Sequence, residues 1–382
     1  MSAKKMTVLQ ILPSLVAGGS ERGTVDVAQA LVQAGHRALV ISAGGRMVNE
    51  LHDKGAAHFT WPSDSKNPLT ILANSQKLVA FIKEHQVDLI HARSRAPAWS
   101  VYLASKQAGV PFITTFHAAY KGKMPWKRLY NSVMTCGARV IAVSKFVSKH
   151  IAENYEITDW RIVPILRGID LSVFDPAKIT AERKEKFLQA AGVPAGVPMI
   201  LVPGRLSPIK GQELTLRALA QVKQPFFAVI MGPDQGRVEY RNFLNDLAKD
   251  LGLRNKTSFL PGGDMPAAYA AATLVLSTSL VAEGCPRVPV EAQAMGAPVI
   301  ATALGGTFET IKSGETGWLV PKGDLDALVG AINTALKMSP EERARMVRAG
   351  QAFVRANFDM KQMCAKTLKV YEEVLNEFKA DK

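Results

Sequence analysis

Short apolar runs alternate with helix-like segments along almost the whole chain, and this rhythm leaves few folds open. In the first half TVLQIL, RALVIS, DLIHA, FITTFH and RVIAVS are β-branched, nearly uninterrupted and bounded by Gly, Pro or Ser. Strands buried on both faces read this way, and alternation with helices implies a parallel sheet. Helical segments such as GTVDVAQALVQAG and APAWSVYLASKQAG separate them. The rhythm breaks over DLSVFDPAKITAERKEKFLQAAGVPAGVP, a charged helix between proline-rich turns. It restarts with MILVPGR, FFAVIMG, SFLPG, LVLSTS, PVIATA and GWLV. The expected fold is α/β: two doubly wound, Rossmann-like domains over 1–175 and 190–359, joined near 175–198. A length of 382 residues suits two domains. The closing stretch FDMKQMCAKTLKVYEEVLNEFK is an amphipathic helix that pattern alone assigns to neither.

The N-terminus, MSAKKMTVLQILPSLVAGG, has the lysines, apolar stretch and small residues of a signal peptide. Gln10 and Pro13 interrupt the stretch, and SERG follows, so a first buried strand is the better reading. No apolar run reaches the roughly 18 residues of a spanning helix. Cys136, Cys285 and Cys364 are widely spaced, with no CxxC pattern. That disfavours a zinc site or a disulfide framework and fits a reducing, cytoplasmic compartment. The formal net charge of +14 points to an anionic partner: nucleic acid, a phospholipid surface or a phosphorylated ligand.

Much of that charge is concentrated. Residues 91–150 contain no Asp or Glu and carry a charge of +10. Within them KGKMPWKRLYNSVM sets Trp126, Leu129, Tyr130 and Val133 at helical spacing beside basic residues. Two readings fit equally: a helix lying on an anionic membrane, or a core-facing helix with a solvated basic face. No RRM, KH or helix-turn-helix signature accompanies the charge.

In open parallel sheets, ligands gather at the carboxyl ends of the strands. LVAGGSERGT follows the first strand there, and Gly18 and Gly19 allow close backbone approach before a helix N-terminus. Without a full GxGxxG, dinucleotide binding is disfavoured. His117 ends FITTFH, and His91 in DLIHARS has a similar position; each is as readily structural as functional. GRLSPIKG follows MILVP, so Arg205 and Lys210 are placed to hold a diphosphate. GDLD contains a literal DxD, but Asp324 or Asp326 as a helix cap or first-turn acid explains it.

EGCPRVPVEAQAMGAPVIA is the sharpest signal. Glu283 is expected in the loop beyond the strand LVLSTS. Pro289 is expected near the first position of the next helix, with Glu291 in its first turn. The pair could then face one ligand, with Gly284 allowing tight backbone and Arg287 adding positive charge.

With AGGSERG, TTFH, IAVSKF, GRLSPIKG, EGCPRVPVEAQAMGAPVIA and GGTFETIKSGETGWLVPKGD in hand, nearly the whole chain resembles family 4 glycosyltransferases. These are retaining enzymes with two Rossmann-like domains facing across a cleft, the GT-B fold. The resemblance implies that Glu283 touches the donor sugar and Glu291 the nucleotide ribose. Arg205 and Lys210 would hold the donor diphosphate, Gly18 and Gly19 would lie near it, and His117 would stand beside the sugar in the catalytic pocket. It implies no metal or other cofactor, and a final helix, 360–382, packed back on the N-terminal domain. Cys285 and Pro286 depart from the family's aromatic-Gly, and proline removes a backbone donor there.

The expected activity is transfer of a sugar from a UDP- or GDP-linked donor to an acceptor hydroxyl, with retention. The basic N-terminal half suits an anionic glycolipid or saccharide acceptor, such as a lipopolysaccharide core precursor, at the inner face of a membrane. A sugar-nucleotide 2-epimerase of the same fold is an alternative. A nucleic-acid-binding protein would explain the charge but not the paired Glu283 and Glu291.

Overall fold

A computed structural model of the chain describes residues 5–16, 18–120 and 124–380. Lys121 and Lys123 of the basic segment lie outside the described residues. The chain divides into two compact units: residues up to Gly168 together with those from Met360, and Ile169–Asp359.

The first unit holds a parallel sheet of seven strands: β1 (Thr7–Ile11), β2 (Arg37–Ser42), β3 (Ala57–Thr60), β4 (Leu89–Ala92), β5 (Phe112–Phe116), β6 (Arg139–Ala142) and β7 (Ile162–Pro164), in the order β3-β2-β1-β4-β5-β6-β7. The second holds six: β8 (Met199–Pro203), β9 (Phe227–Met231), β10 (Thr257–Leu260), β11 (Leu274–Ser277), β12 (Val299–Thr302) and β13 (Trp318–Val320), in the order β10-β9-β8-β11-β12-β13. Both are doubly wound Rossmann-like sheets. Chain order reverses between β1 and β4 in one and between β8 and β11 in the other, and these switch points open the crevices in which such sheets bind ligands.

The strands form where the apolar runs predicted them because both faces are covered. Successive residues of β8 serve opposite faces: Ile200 and Val202 pack in one core, Met199 and Leu201 in the other. Sequence reading missed β3 and β7. Both are edge strands, with AHFT half exposed and IVP only three residues long, so neither carries the apolar run of a central strand.

The boundary at 175 moves to Gly168, and the second unit begins well before 190. The physical reason is local. Ile169 donates its N–H to the Phe358 carbonyl at 2.8 Å, and Ile179 and Phe187 are buried in the core under β8. The closing helix Met360–Ala380 belongs to the first unit, where Met363, Cys364, Val370, Tyr371, Val374 and Leu375 enter its core.

Candidate active site

In the second unit the chain leaves β8 through Gly204, at φ +146°, passes the exposed Arg205, and turns at Pro208–Lys210 before the helix Gln212–Leu219. Gly211, at φ +70°, closes the turn where a Cβ would overlap the Thr278 carbonyl oxygen. Only glycine serves there, on conformation and on space. The β8 and β11 loops are therefore backbone against backbone. A hydroxyl contact between Thr215 and Thr278, at 2.7 Å, joins them.

That approach brings Lys210 to Glu283. The Lys210 ammonium donates to Glu283 Oε1 at 2.8 Å, and the Ser279 hydroxyl donates to the same oxygen at 2.6 Å. Behind them the Glu283 carbonyl accepts from the Gly306 N–H at 2.9 Å, and a Cβ on Gly306 would overlap the Gly284 carbonyl oxygen. Among the described residues the Arg205 guanidinium has no ion-pair partner; the backbone of Arg205 is held by Gln212, whose side-chain amide donates to its carbonyl at 2.9 Å. Arg205 and Glu283 thus reach the same switch point, and Lys210 already touches Glu283.

The helix after Glu283 starts two residues earlier than the sequence suggested, at Arg287, with Pro286 as its N-cap. Glu291 therefore sits in the second turn, and the helix-dipole reading of it loses force. Its carboxylate is instead held on both sides. Arg287 Nε donates to Oε1 at 2.9 Å, and the Tyr269 hydroxyl donates to Oε2 at 2.9 Å. Tyr269 is fully buried, and burial beside the Glu291 carboxylate drives its hydroxyl well above the usual range, so it remains a donor. Glu291 itself is 8% exposed. Two fixed donors leave the remaining lone pairs of a nearly buried carboxylate for hydroxyl donors of a ligand.

In the first unit Gly18, at φ +145°, is the N-cap of the helix Gly19–Gln33. A Cβ at Gly19 would overlap the guanidinium of Arg167, which follows β7. Arg167 Nη2 lies 2.7 Å from His117 Nδ1, just beyond β5. Arg93, beyond β4, is buried and donates to Gln10 Oε1 at 2.8 Å. The His117 imidazole is held well below the usual histidine range, first by burial and then by Arg167, Arg93 and His91. It is neutral at physiological pH. His91 proves structural: it is fully buried, with Nδ1 2.7 Å from the Tyr371 hydroxyl and Nε2 2.7 Å from the Thr115 hydroxyl. The structure separates two histidines that the sequence left alike.

Asp324 caps the helix Leu325–Leu336, accepting from the Ala327 N–H at 2.9 Å. The helix Pro125–Ser132 splits the predicted apolar set: Val133, just past it, is buried, whereas Trp126 and Leu129 are 63% and 66% exposed.

Comparison with known proteins gives these sites a context. The model for Glycosyltransferase Family 4 matches residues 17–173, and that for Glycosyl transferases group 1 matches residues 183–353. A glycosyltransferase from Rickettsia africae ESF-5 is 38% identical, with a TM-score of 0.92, over 98% of this chain and 99% of that one. The chain belongs to the group 1/family 4 glycosyltransferases. Its two Rossmann-like units are those of the GT-B fold. Anabaena HepE, solved in complex with UDP and glucose, is 25% identical with a TM-score of 0.86, over 96% of this chain and 100% of that one. A D-inositol 3-phosphate glycosyltransferase of Salinispora tropica is 29% identical over 314 residues, 76% of this chain and 64% of that protein's length.

In this glycosyltransferase, motif reading named the carboxylates and cations of the second unit but not what holds them. Ser279 and Tyr269 carried no signal, because a lone hydroxyl in an apolar run reads as an ordinary strand or helix residue. Arg167 was missed for a related reason: RGID after a short edge strand has no motif, and only the fold brings it to His117.

Proposed function

We propose that the chain is a retaining, metal-independent glycosyltransferase that uses a UDP-sugar and an anionic acceptor. The observation that carries the reading is the set Arg205, Lys210 and Glu283 at the switch point of β8 and β11. A diphosphate reaching Lys210 competes with Glu283 for the ammonium. The ammonium then turns to the phosphate oxygens, and Glu283, still held by Ser279, accepts from sugar hydroxyls. Glu291, clamped by Arg287 and Tyr269, accepts from the ribose hydroxyls. UDP, rather than GDP, is favoured by the HepE complex.

In the reaction the bond from the anomeric carbon to the diphosphate oxygen breaks, and its electron pair leaves with the phosphate. Arg205 and Lys210 stabilise that charge in place of a metal ion. The acceptor oxygen forms the new bond on the face the diphosphate leaves, and the acceptor proton passes to the departing phosphate oxygen. Glu283 is not required as a nucleophile, so the carboxylate spacing of glycosidases does not apply.

The +10 segment, with Trp126 and Leu129 exposed beside Lys127 and Arg128, supports an anionic acceptor at a membrane surface. A lipopolysaccharide core or other glycolipid precursor fits that charge, with the protein peripheral on the cytoplasmic face. No described helix is long and apolar enough to cross a membrane. A phosphorylated polyol is the second reading, favoured by the inositol phosphate acceptor in the name of the Salinispora relative.

Calorimetry with UDP-, GDP- and ADP-sugars, in EDTA, tests the donor site. UDP-sugars should bind to wild type and bind more weakly to Lys210→Ala and Glu291→Ala. Failure of every sugar nucleotide to bind would overturn the proposal, and isomerisation of the donor without acceptor would shift it to an epimerase.

A further inference from the structure

We propose that Arg167 is a positioning residue that fixes the His117 imidazole as its Nε2–H tautomer, so that His117 acts as a hydrogen-bond donor and not as a base. The inference deepens the transferase reading above, on which it rests, and adds to it that a substrate comes to His117.

The chemistry of the two groups decides the tautomer. Arg167 Nη2 and His117 Nδ1 are 2.7 Å apart. A guanidinium has five N–H donors, no acceptor, and does not lose its proton in proteins. The contact is a hydrogen bond only if Nδ1 supplies the lone pair. A neutral imidazole has one N–H, which must then be on Nε2. An imidazolium is excluded on the same ground, since it would set N–H against N–H and cation against cation.

Nε2 is buried and has no hydrogen-bond partner among the described residues. Buried polar atoms of proteins are nearly always paired, so an orphan beside the glycine loop is best explained by an oxygen that arrives with substrate. A nitrogen that already carries its proton cannot accept another while Arg167 occupies the opposite side of the ring. The groups acting on it are Arg167, Arg93 and His91. Glu21, on the first turn of the Gly19–Gln33 helix, accepts from the Ser20 hydroxyl at 2.6 Å. With His117 unable to take it, the acceptor proton goes to the departing phosphate oxygen in the mechanism proposed above.

Gly19 has a second role here. The space its missing side chain leaves is where the Arg167 guanidinium lies. Glycine at this position makes room for the cation that orients His117, and not only for the ligand backbone contact inferred from the sequence.

The test is the tautomer, read by long-range ¹H–¹⁵N correlation spectra of the histidine rings, with His117→Gln to assign the signal. Wild type should show Nε2–H with no titration between pH 6 and 8. Arg167→Met should give mixed tautomers and a titration moving towards neutral pH. Its kcat should fall about 10- to 100-fold, as when the orienting partner of a functional histidine is lost. Arg167→Lys, which keeps a cationic donor, should restore Nε2–H and part of the rate. Gly19→Ala, which displaces the guanidinium without removing it, should shift the tautomer as Arg167→Met does. A wild-type ring protonated on Nδ1, or an unchanged tautomer in Arg167→Met, would overturn the proposal. If the tautomer behaves as expected but no donor is ever used, the transferase reading fails and the positioning role stands.

Discussion

At the switch point of the second unit each glutamate is matched to a cation: Glu283 to Lys210 at 2.8 Å and Glu291 to Arg287 at 2.9 Å. At the first unit's carboxyl edge the corresponding contact is between an arginine and a histidine, Arg167 to His117 at 2.7 Å, and the histidine is held neutral. All seven histidines of the chain lie in the first unit. The two edges share a topology yet differ in what controls them. In the second, groups of opposite charge hold each other in place, and a ligand reaching Lys210 must compete with Glu283. In the first, a fixed cation sets the protonation of a neighbour, and a ligand meets a prepared donor.

The largest effects are expected where charges are paired. Lys210→Ala and Glu283→Ala should each lower kcat/KM by about 10²–10³-fold, the range for losing one preorganised electrostatic contact. Because each supports the other, the double variant should fall well short of the product of the single losses. Steady-state kinetics of the four proteins measures this, and strictly multiplicative losses would break the comparison.

Next come the glycines, which separate backbone crowding from side-chain crowding. Gly211→Ala combines a left-handed φ with overlap on the Thr278 carbonyl, and should destabilise the second unit by about 2–3 kcal/mol in urea unfolding. Gly19→Ala meets only the terminal atoms of the Arg167 side chain and no backbone, so its unfolding midpoint should scarcely move. Equal losses would mean that the two loops are equally rigid.

Tyr269→Phe removes one of the two donors to Glu291 and leaves the ring in place. A hydrogen bond to a charged group contributes about 1.5–3 kcal/mol. Nucleotide-sugar affinity should therefore drop about 10- to 100-fold by calorimetry, with the fold intact. Unchanged affinity would leave Arg287 as the sole support Glu291 needs.

The smallest effect is linkage to pH. His58, His91, His117 and His150 are all lowered, mainly by burial. In the unfolded chain they take up protons near pH 6.5, whereas in the native state they do so only at lower pH. The unfolded state then binds more protons, so stability rises with pH through this window and is lost as pH falls below about 6.5. Each histidine should cost under about 1 kcal/mol between pH 7 and 6. Hydrogen exchange at the two pH values should show protection falling in the first unit and holding in the second; the reverse pattern would refute the assignment.

Central strands were legible in the sequence because a strand covered on both faces must be apolar at nearly every position. RALVIS and FITTF needed no further context. The edge strands β3 and β7 were not legible, since AHFT is half exposed and IVP is only three residues long, whereas the edge strands β10 and β13 were read from SFLPG and GWLV. The same division holds at the sites. GRLSPIKG and EGCPRVPVE were readable because glycines and charges at a strand's carboxyl end have few structural uses. The start of the following helix was misplaced, because Pro286 and Pro289 are both compatible with a helix N-terminus, and packing chose the earlier one.

By itself the sequence determined two parallel-sheet units, the carboxyl ends of their strands, and the charged residues that follow them. Periodicity and strand–loop–helix order are local properties of the chain, and they suffice for that much. Which partner each charge meets was decided only by the tertiary structure. Lys210 and Glu283 are brought together by loops packed through Gly211, Arg287 and Glu291 by the true helix register, and Arg167 and His117 by strands distant in sequence. The reason is physical: a hydrogen bond depends on tenths of an ångström between side chains, and those distances are set by the packing of whole elements, which no local pattern encodes.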